Sequence, residues 1–319
     1  MTAELGGLPW PLEGIAKRPR LAALLGAMCI AFSGIFYRYA EVSPSTATVF
    51  RCLFGLPVLA GVALLEQRRY GPLPRSTVRL AAIAGVFFAG DLTFWHHAVD
   101  AVGAGLATVL GNLQVLVVGF VAWAAFGERP SRSTLLALPI VIVGVALISG
   151  VVGSGAFGAS PVLGAVFGTV TAFCYAAYLL VIRRGGRDLR RPAGPVAIAT
   201  ASTAVTAVFA GLVVGDFDAL PAPASLGWLA LLGLTSQSAG YLLISLSLPR
   251  LPAVVTSIIL LAQPVATVAL AMILLGEAPS PTQLAGVVLV IGGIAVATVP
   301  AGLARRSAMQ AAPSASDPG

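Results

Sequence analysis

Apolar positions in this chain come in long, nearly unbroken runs, and polar positions gather in short knots between them. A bilayer core of about 30 Å takes roughly 20 apolar residues per helix. Runs of that length are predicted over 21–40, 46–65, 78–99, 104–126, 133–152, 161–182, 193–214, 226–248, 252–275 and 281–299. The knots between them hold helix breakers such as "SPS" at 43–45, "GPLP" at 71–74 and "ALPAPAS" at 219–225. Strand alternation punctuated by turns, the signature of a membrane barrel, does not occur. The pattern predicts an all-α polytopic membrane protein with ten transmembrane helices.

Composition agrees, and excludes a water-soluble domain: 58% of the 319 residues are hydrophobic, 10% are charged, and the mean hydropathy is +0.95, whereas soluble domains carry about 25% charged residues. Charge then orients the helices, because Lys and Arg are retained on the cytoplasmic side. With the N-terminus inside, 17 of the 19 basic residues fall in inner segments, among them Lys17, Arg68, Arg75, Arg129, Arg183, Arg250 and Arg305. The outer connections hold Glu41, Asp100, Asp216, Asp218 and Glu277. Both termini are therefore expected in the cytoplasm, and the protein is expected as a multi-pass component of the inner (plasma) membrane. The net charge of +7 is this topology signal, with anionic lipid as a further partner of the basic clusters; it calls for no nucleic acid. Lys17, Arg18 and Arg20 before the first run imitate a signal peptide, but the run is too long for a signal core and reads as an uncleaved helix. Cys29, Cys52 and Cys174 fall inside runs at unrelated spacings, which argues for packing residues rather than a disulfide or metal framework.

The chain also repeats itself. Residues 104–135, "AGLATVLGNLQVLVVGFVAWAAFGERPSRSTL", align with 253–284, "AVVTSIILLAQPVATVALAMILLGEAPSPTQL". Gln114 meets Gln263, Gly127 meets Gly276 and Glu128 meets Glu277; further on Gly144 meets Gly293. A weaker echo joins "AFSGIFY" at 31–37 to "AFCYAAY" at 172–178. The expected organisation is a cytoplasmic segment 1–20, a first five-helix repeat 21–152, an outer loop 153–160, a second repeat 161–300 and a disordered cytoplasmic tail 301–319. Five is odd, so the repeats enter the membrane in opposite senses, and inverted repeats are the architecture of carriers that bind near the midplane and expose their site alternately. The turns themselves read structurally: Gly127 and Gly276 suit helix C-caps, Pro281 a first helical position, and Ser280 with Gln283 a capping box.

Two charges of opposite sign lie inside apolar runs. Arg51 is about 8 Å deep at 1.5 Å per residue, and Asp91 lies at a comparable depth from the same side. Intramembrane charges pair or face a watery cavity, so Arg51 and Asp91 read either as an ion pair clamping two helices or as groups that handle substrate or protons. Polar and aromatic residues recur at helical spacing near mid-membrane: Asp91 with Trp95, Thr108 with Asn112, Thr171 with Tyr175 and Tyr178, Gln237 with Tyr241, Gln263 with Thr267. Each has a packing explanation, since amides and hydroxyls bind membrane helices together. As a set, Asp91, Trp95, Asn112, Tyr175, Tyr178, Gln237, Tyr241 and Gln263 are the candidate substrate-binding residues, suited to a small, partly apolar solute. His96 and His97 are placed near the outer mouth. Pro57, Pro139, Pro264 and the Gly164–Gly168 pair read first as plain packing residues, with kinked helices at the prolines and close helix approach at the glycines as the alternative. No metal or cofactor motif and no catalytic constellation is present, so the chain does not read as an enzyme.

Ser33-Gly34 in the first run, Arg38 at its end, Pro44, Arg51 in the second run, and the paired "GERPS" and "GEAPS" turns resemble the drug/metabolite transporter superfamily. Within it, residues 20–300 are similar to the ten-helix EamA-type exporters, and most to the aromatic and broad amino-acid exporters. The chain departs from that pattern at Ser33, where tryptophan is usual, and at Val115, where proline is common although its repeat partner Pro264 is kept. The resemblance implies a carrier exporting small metabolites, amino acids foremost, with protons as candidate coupling ions. The alternatives are a multidrug carrier of lipophilic cations, for which Asp91 is the available carboxylate, and a sugar-phosphate carrier, which the solitary Arg51 disfavours.

Overall fold

A computed structural model describes residues 17–126, 132–153, 155–185, 188, 190–247, 250–251 and 253–298, and within these ranges the secondary structure is helical, with no strand. In chain order the helices are α1 (Pro19–Ala31, resuming as Ser33–Ala40), α2 (Pro44–Tyr70), α3 (Arg75–Val102), α4 (Ala104–Gly111, resuming as Gln114–Phe126) and α5 (Arg132–Ile148). They continue with α6 (Pro161–Gly185), α7 (Ala193–Val214), α8 (Pro223–Leu231, a π-helical stretch Leu232–Gly240, then Tyr241–Ser247), α9 (Ala253–Leu274) and α10 (Pro281–Thr298). Six of these stretches are long and apolar enough to cross a membrane, and the apolar parts of α4, α5, α9 and α10 are shorter. Large side chains stand bare on the outside, Phe209 at 67%, Ile273 at 77% and Val288 at 69% exposure. Only an apolar solvent makes such a surface stable.

Helix ends differ from the sequence expectation where capping decides them. The "SPS" knot does not break the chain but starts α2: Ser43 accepts the Thr46 N–H at 3.3 Å, and Pro44 takes the first turn, where no N–H is needed. At its far end α2 runs past 65 to Tyr70, and α3 spans 75–102 rather than 78–99. Conversely α5 ends at Ile148, short of 152. The helices holding Pro57, Pro139 and Pro264 are continuous. Interruptions come instead at Phe32, at Asn112–Leu113 and in the π-helical stretch of α8. The capping box is present as read, with the Gln283 N–H on Ser280 Oγ at 3.3 Å and the Ser280 N–H on Gln283 Oε1 at 3.0 Å. Gly276 takes the left-handed conformation (φ 67°) that ends α9. Gly127, Glu128, Pro130 and Ser131 of the matching turn lie outside the described residues, as do residues 1–16 and the 301–319 tail.

Packing is organised between the two halves of the chain. Helix α3 lies along α6 and α1 along α8; α2 meets α8 and α3 meets α7; α1 meets α9 and α4 meets α6; α2–α7, α4–α9 and α5–α10 close the set. Exchanging each helix for its counterpart five places on returns the same pairings, which is what a two-fold relation between repeats requires. The relation holds at residue level. A Cβ on Gly85 would meet Ala199 O at 2.4 Å and Ser202 Cβ at 2.6 Å; one on Gly233 would meet Arg51 O and Phe54 Cβ, both at 2.7 Å. The two sets of contacts are related by one common shift along the chain. On α5 and α10, Gly144 and Gly286 place backbone against backbone, each lying within 3 Å of the other's carbonyl once a Cβ is added. Gly164 and Gly168 of α6 receive Val102 and Leu110 at 2.5 Å, the close approach their spacing suggested.

Candidate functional site

Among the described residues, three acidic positions sit at ends of helices and reach across to the other repeat. Glu66, at the end of α2, accepts the N–H groups of Ala193 and Gly194 at 2.9 and 2.8 Å, at the start of α7. Asp216, after α7, accepts the Ser45 N–H at 3.4 Å at the start of α2. Glu277, between α9 and α10, accepts those of Ala104 and Gly105 at 2.6 and 3.2 Å, at the start of α4. Each carboxylate meets the orphan donors and positive end of a helix from the other repeat. Burial raises the Glu277 carboxyl above its ordinary value, the two amide donors pulling it partway back. Glu66 was not singled out in the sequence; its match to Asp216 at the end of a repeat-related helix is the signal that marks it.

Among the helices lies a cavity of about 310 Å³. Its wall takes residues from α1, α2, α3, α4, α6, α8, α9 and α10, so both repeats build it. Of the candidate residues, Asp91, Trp95, Asn112, Tyr175, Tyr241 and Gln263 line it, and Arg51 does too. Ser33, Thr108, Thr171 and Gln114 join them, the last with a buried amide oxygen that has no partner among the described residues. Two helix interruptions open onto this space: Ser33 begins the second segment of α1 and Gln114 that of α4. Irregular backbone at membrane depth is tolerated where it borders a cavity.

Two candidates stand behind the wall. Tyr178 is buried against Phe88, ring centroids 4.5 Å apart, and against Tyr175 at 5.5 Å. Gln237 is fully buried, its Oε1 accepting from Arg51 Nε at 2.9 Å and its Nε2 donating to Thr200 Oγ1 at 3.0 Å. This bond also revises the ion-pair reading. Arg51 and Asp91 face one cavity, as their depths suggested, but among the described residues they form no direct ion pair; Gln237 takes the guanidinium edge instead. The neighbouring polar pairs belong to helix packing, Thr171 Oγ1 donating to Asp91 O at 3.3 Å and Thr267 Oγ1 to Ala31 O at 3.1 Å.

The cavity is not equally walled at its two ends. Towards the end that carries Glu41, Asp100 and Asp216 the helices close up: Gly34 would meet Ala104 Cβ at 2.7 Å and Gly105 lies against Val268. His96 is wholly buried there rather than at a mouth. Its Nδ1 lies 3.0 Å from Thr48 Oγ1, and its ring packs 4.3 Å from that of Tyr37, which donates to Asp100 Oδ2 at 2.8 Å. His97 packs against Phe167 at 5.2 Å. Towards the arginine-rich end the wall is made of the partly exposed Leu179, Ile244, Leu260 and Leu261. Among the described residues no His, Cys, Asp and Glu cluster has metal-binding form.

Comparison with known proteins adds a family to this geometry. The model of the EamA-like transporter family matches twice, over residues 18–150 and 162–299, one match to each repeat. No curated protein matches significantly. A solved structure described only as "Crystal structure of protein" is similar in fold, with a TM-score of 0.60 at 20% identity over 88% of this chain and 98% of its own. With two family matches over a pair of repeats that wall one cavity, the chain belongs to the EamA-like transporter family.

Proposed function

We propose that the protein exports amino acids, aromatic or apolar ones foremost, across the inner membrane by exposing the cavity alternately to its two sides. The observation that carries this reading is that Arg51 and Asp91 face one small cavity without pairing to each other. A solute with a carboxylate and an ammonium group satisfies both, and Trp95, Tyr175 and Tyr241 supply an apolar wall for its side chain. The volume of about 310 Å³ lies at the lower bound of ligand cavities, roughly 300 Å³, which suits a single amino acid. If the chain has the ten spans and cytoplasmic termini proposed from its charge pattern, the arginine-rich end lies inside and the more loosely walled end of the cavity faces the cytoplasm, which suits the loading state of an exporter. Repeats of five spans inserted in opposite senses supply the second state by exchanging the roles of their clamps.

A second reading, a carrier of lipophilic cations, rests on Asp91. Arg51 in the same cavity opposes it, because a cation gains from the carboxylate and is repelled by the guanidinium. The test is uptake into liposomes holding purified protein, with labelled amino acids and lipophilic cations, with and without a pH gradient. Saturable movement of an amino acid is expected, and movement of cations alone would end the amino-acid reading. Stimulation by a pH gradient identifies protons as the coupling ion.

A further inference from the structure

Arg51 has five N–H donors and, among the described residues, one hydrogen-bond partner, Gln237. Arg51 lines the cavity although it is only 2% exposed, and its remaining donors have no hydrogen-bond partner among the described residues. What fixes this placement is a chain of contacts outside the cavity. Gln237 cannot swing away, because its own Nε2 is held by Thr200 Oγ1 on α7. The backbone beneath it is held as well. Ser236 Oγ donates to Cys29 O on α1 and Ser238 Oγ to Gly55 O on α2, both at 2.9 Å. Gly55 lets α2 come so near that a Cβ there would lie 2.8 Å from Gln237 Cγ. The widened turns of the π-helical stretch put these three consecutive polar side chains onto three neighbouring helices, an arrangement associated with functional positions.

We propose that Gln237 and Thr200 are positioning residues that hold Arg51 with its terminal nitrogens open to the cavity, as the anchor for a carboxylate on the solute. Gln237 does not touch the solute. It occupies the Nε edge of the guanidinium and presents the opposite edge, whose paired N–H groups match the two oxygens of a carboxylate. This goes beyond the assignment of the cavity to solute carriage, on which it rests, by naming which group of the solute is gripped, by what, and which residues outside the wall make the grip.

The experiment compares wild type with Gln237→Met, Thr200→Val and Thr200→Ser in liposomes, using labelled phenylalanine and phenethylamine, which is phenylalanine without its carboxylate. Gln237→Met and Thr200→Val are expected to raise KM for phenylalanine about tenfold, the loss of one hydrogen bond to a charged group. KM for phenethylamine is expected to move less than about twofold, within the same arithmetic. Thr200→Ser, which keeps the hydroxyl, is expected to behave as wild type. A loss shared equally by both solutes, or no change in either variant, overturns the proposal. A second measurement on wild type needs neither transport nor a variant that folds: modification of Arg51 by phenylglyoxal, read by peptide mass, with phenylacetate as the competing carboxylate. Shielding by phenylacetate is expected. A protein that carries neither solute yet is shielded refutes the amino-acid reading and keeps the anchor, whereas equal modification with and without phenylacetate refutes the anchor.

Discussion

Replacing Glu277 separates a scaffold from a site. Its two oxygens take the Ala104 and Gly105 N–H groups at 2.6 and 3.2 Å, and the residue is 7% exposed. Glu277→Ala leaves both donors buried without partners, at about 1–3 kcal/mol each, and removes a charge from a helix N-terminus worth about 0.3–1 kcal/mol. Allowing for non-additivity between neighbours, the loss is about 3–5 kcal/mol. Glu277→Gln keeps one acceptor oxygen and loses the charge, for about 1–2 kcal/mol. Stability is read as the unfolding midpoint in detergent micelles, and selectivity as the ranking of solutes in liposomes. The expected order is wild type, Gln, Ala in stability, with the ranking unchanged. A Glu277→Ala protein as stable as wild type, or a reordered solute ranking at full stability, refutes the clamp. The pH dependence has a definite sign. Because burial holds the folded-state pKa above the ordinary 4.5, proton linkage from this group favours the folded state below 4.5. That contribution fades as pH rises through the raised value. Glu277→Gln lacks this slope, so the advantage of wild type over it should shrink as pH rises from 4.5.

Three further outcomes are expected. Arg51→Ala and Asp91→Ala should each abolish carriage and the double variant should stay inactive, and in the unfolding assay their coupling energy should be below about 0.5 kcal/mol, since the two groups face the cavity rather than each other; restored uptake in the double variant would show a direct pair. Gly286→Leu should lower stability by about 3 kcal/mol or more, because a Cβ there already lies 2.6 Å from Gly144 O; a stable variant, by the same unfolding assay, would show that α5 and α10 separate freely. Single cysteines at Asp218 and Arg190 should react with an impermeant reagent from outside and inside respectively, and labelling from one face would defeat the ten-span topology.

What the sequence made legible is what depends on neighbours along the chain. The Ser280–Gln283 box lies within one turn, and the apolar runs are set by bilayer thickness, so both were readable. Glu277 was readable as part of a turn but not as the cap of α4, since its partners are 173 and 172 residues away. Depth along a span brought Arg51 and Asp91 to one level, yet depth says nothing of the angle about each helix axis. That angle decides whether two charges touch or face a common space. It also separated Tyr175, on the wall, from Tyr178, three residues on and behind it. The breaks at Phe32 and Asn112–Leu113 had no local signal, because neither carries a proline; Pro264 does carry one, and its helix runs through.

The repeats themselves say where to look for chemistry. Their echo is strongest in the Gly-Glu turns, and in the described one Glu277 caps the start of α4 across the two repeats. Symmetry of that kind cannot by itself grip a solute whose two ends differ. Arg51 and Asp91 both belong to the first repeat, and the α8 residue that holds Arg51, Gln237, belongs to the second. The scaffold therefore keeps its two-fold relation at Glu66 and Asp216 and gives it up at the cavity, as the proposed solute, with a carboxylate at one end and an ammonium group at the other, would require. In a chain of this design, the charged positions without a counterpart in the other repeat are the ones to test for contact with the solute.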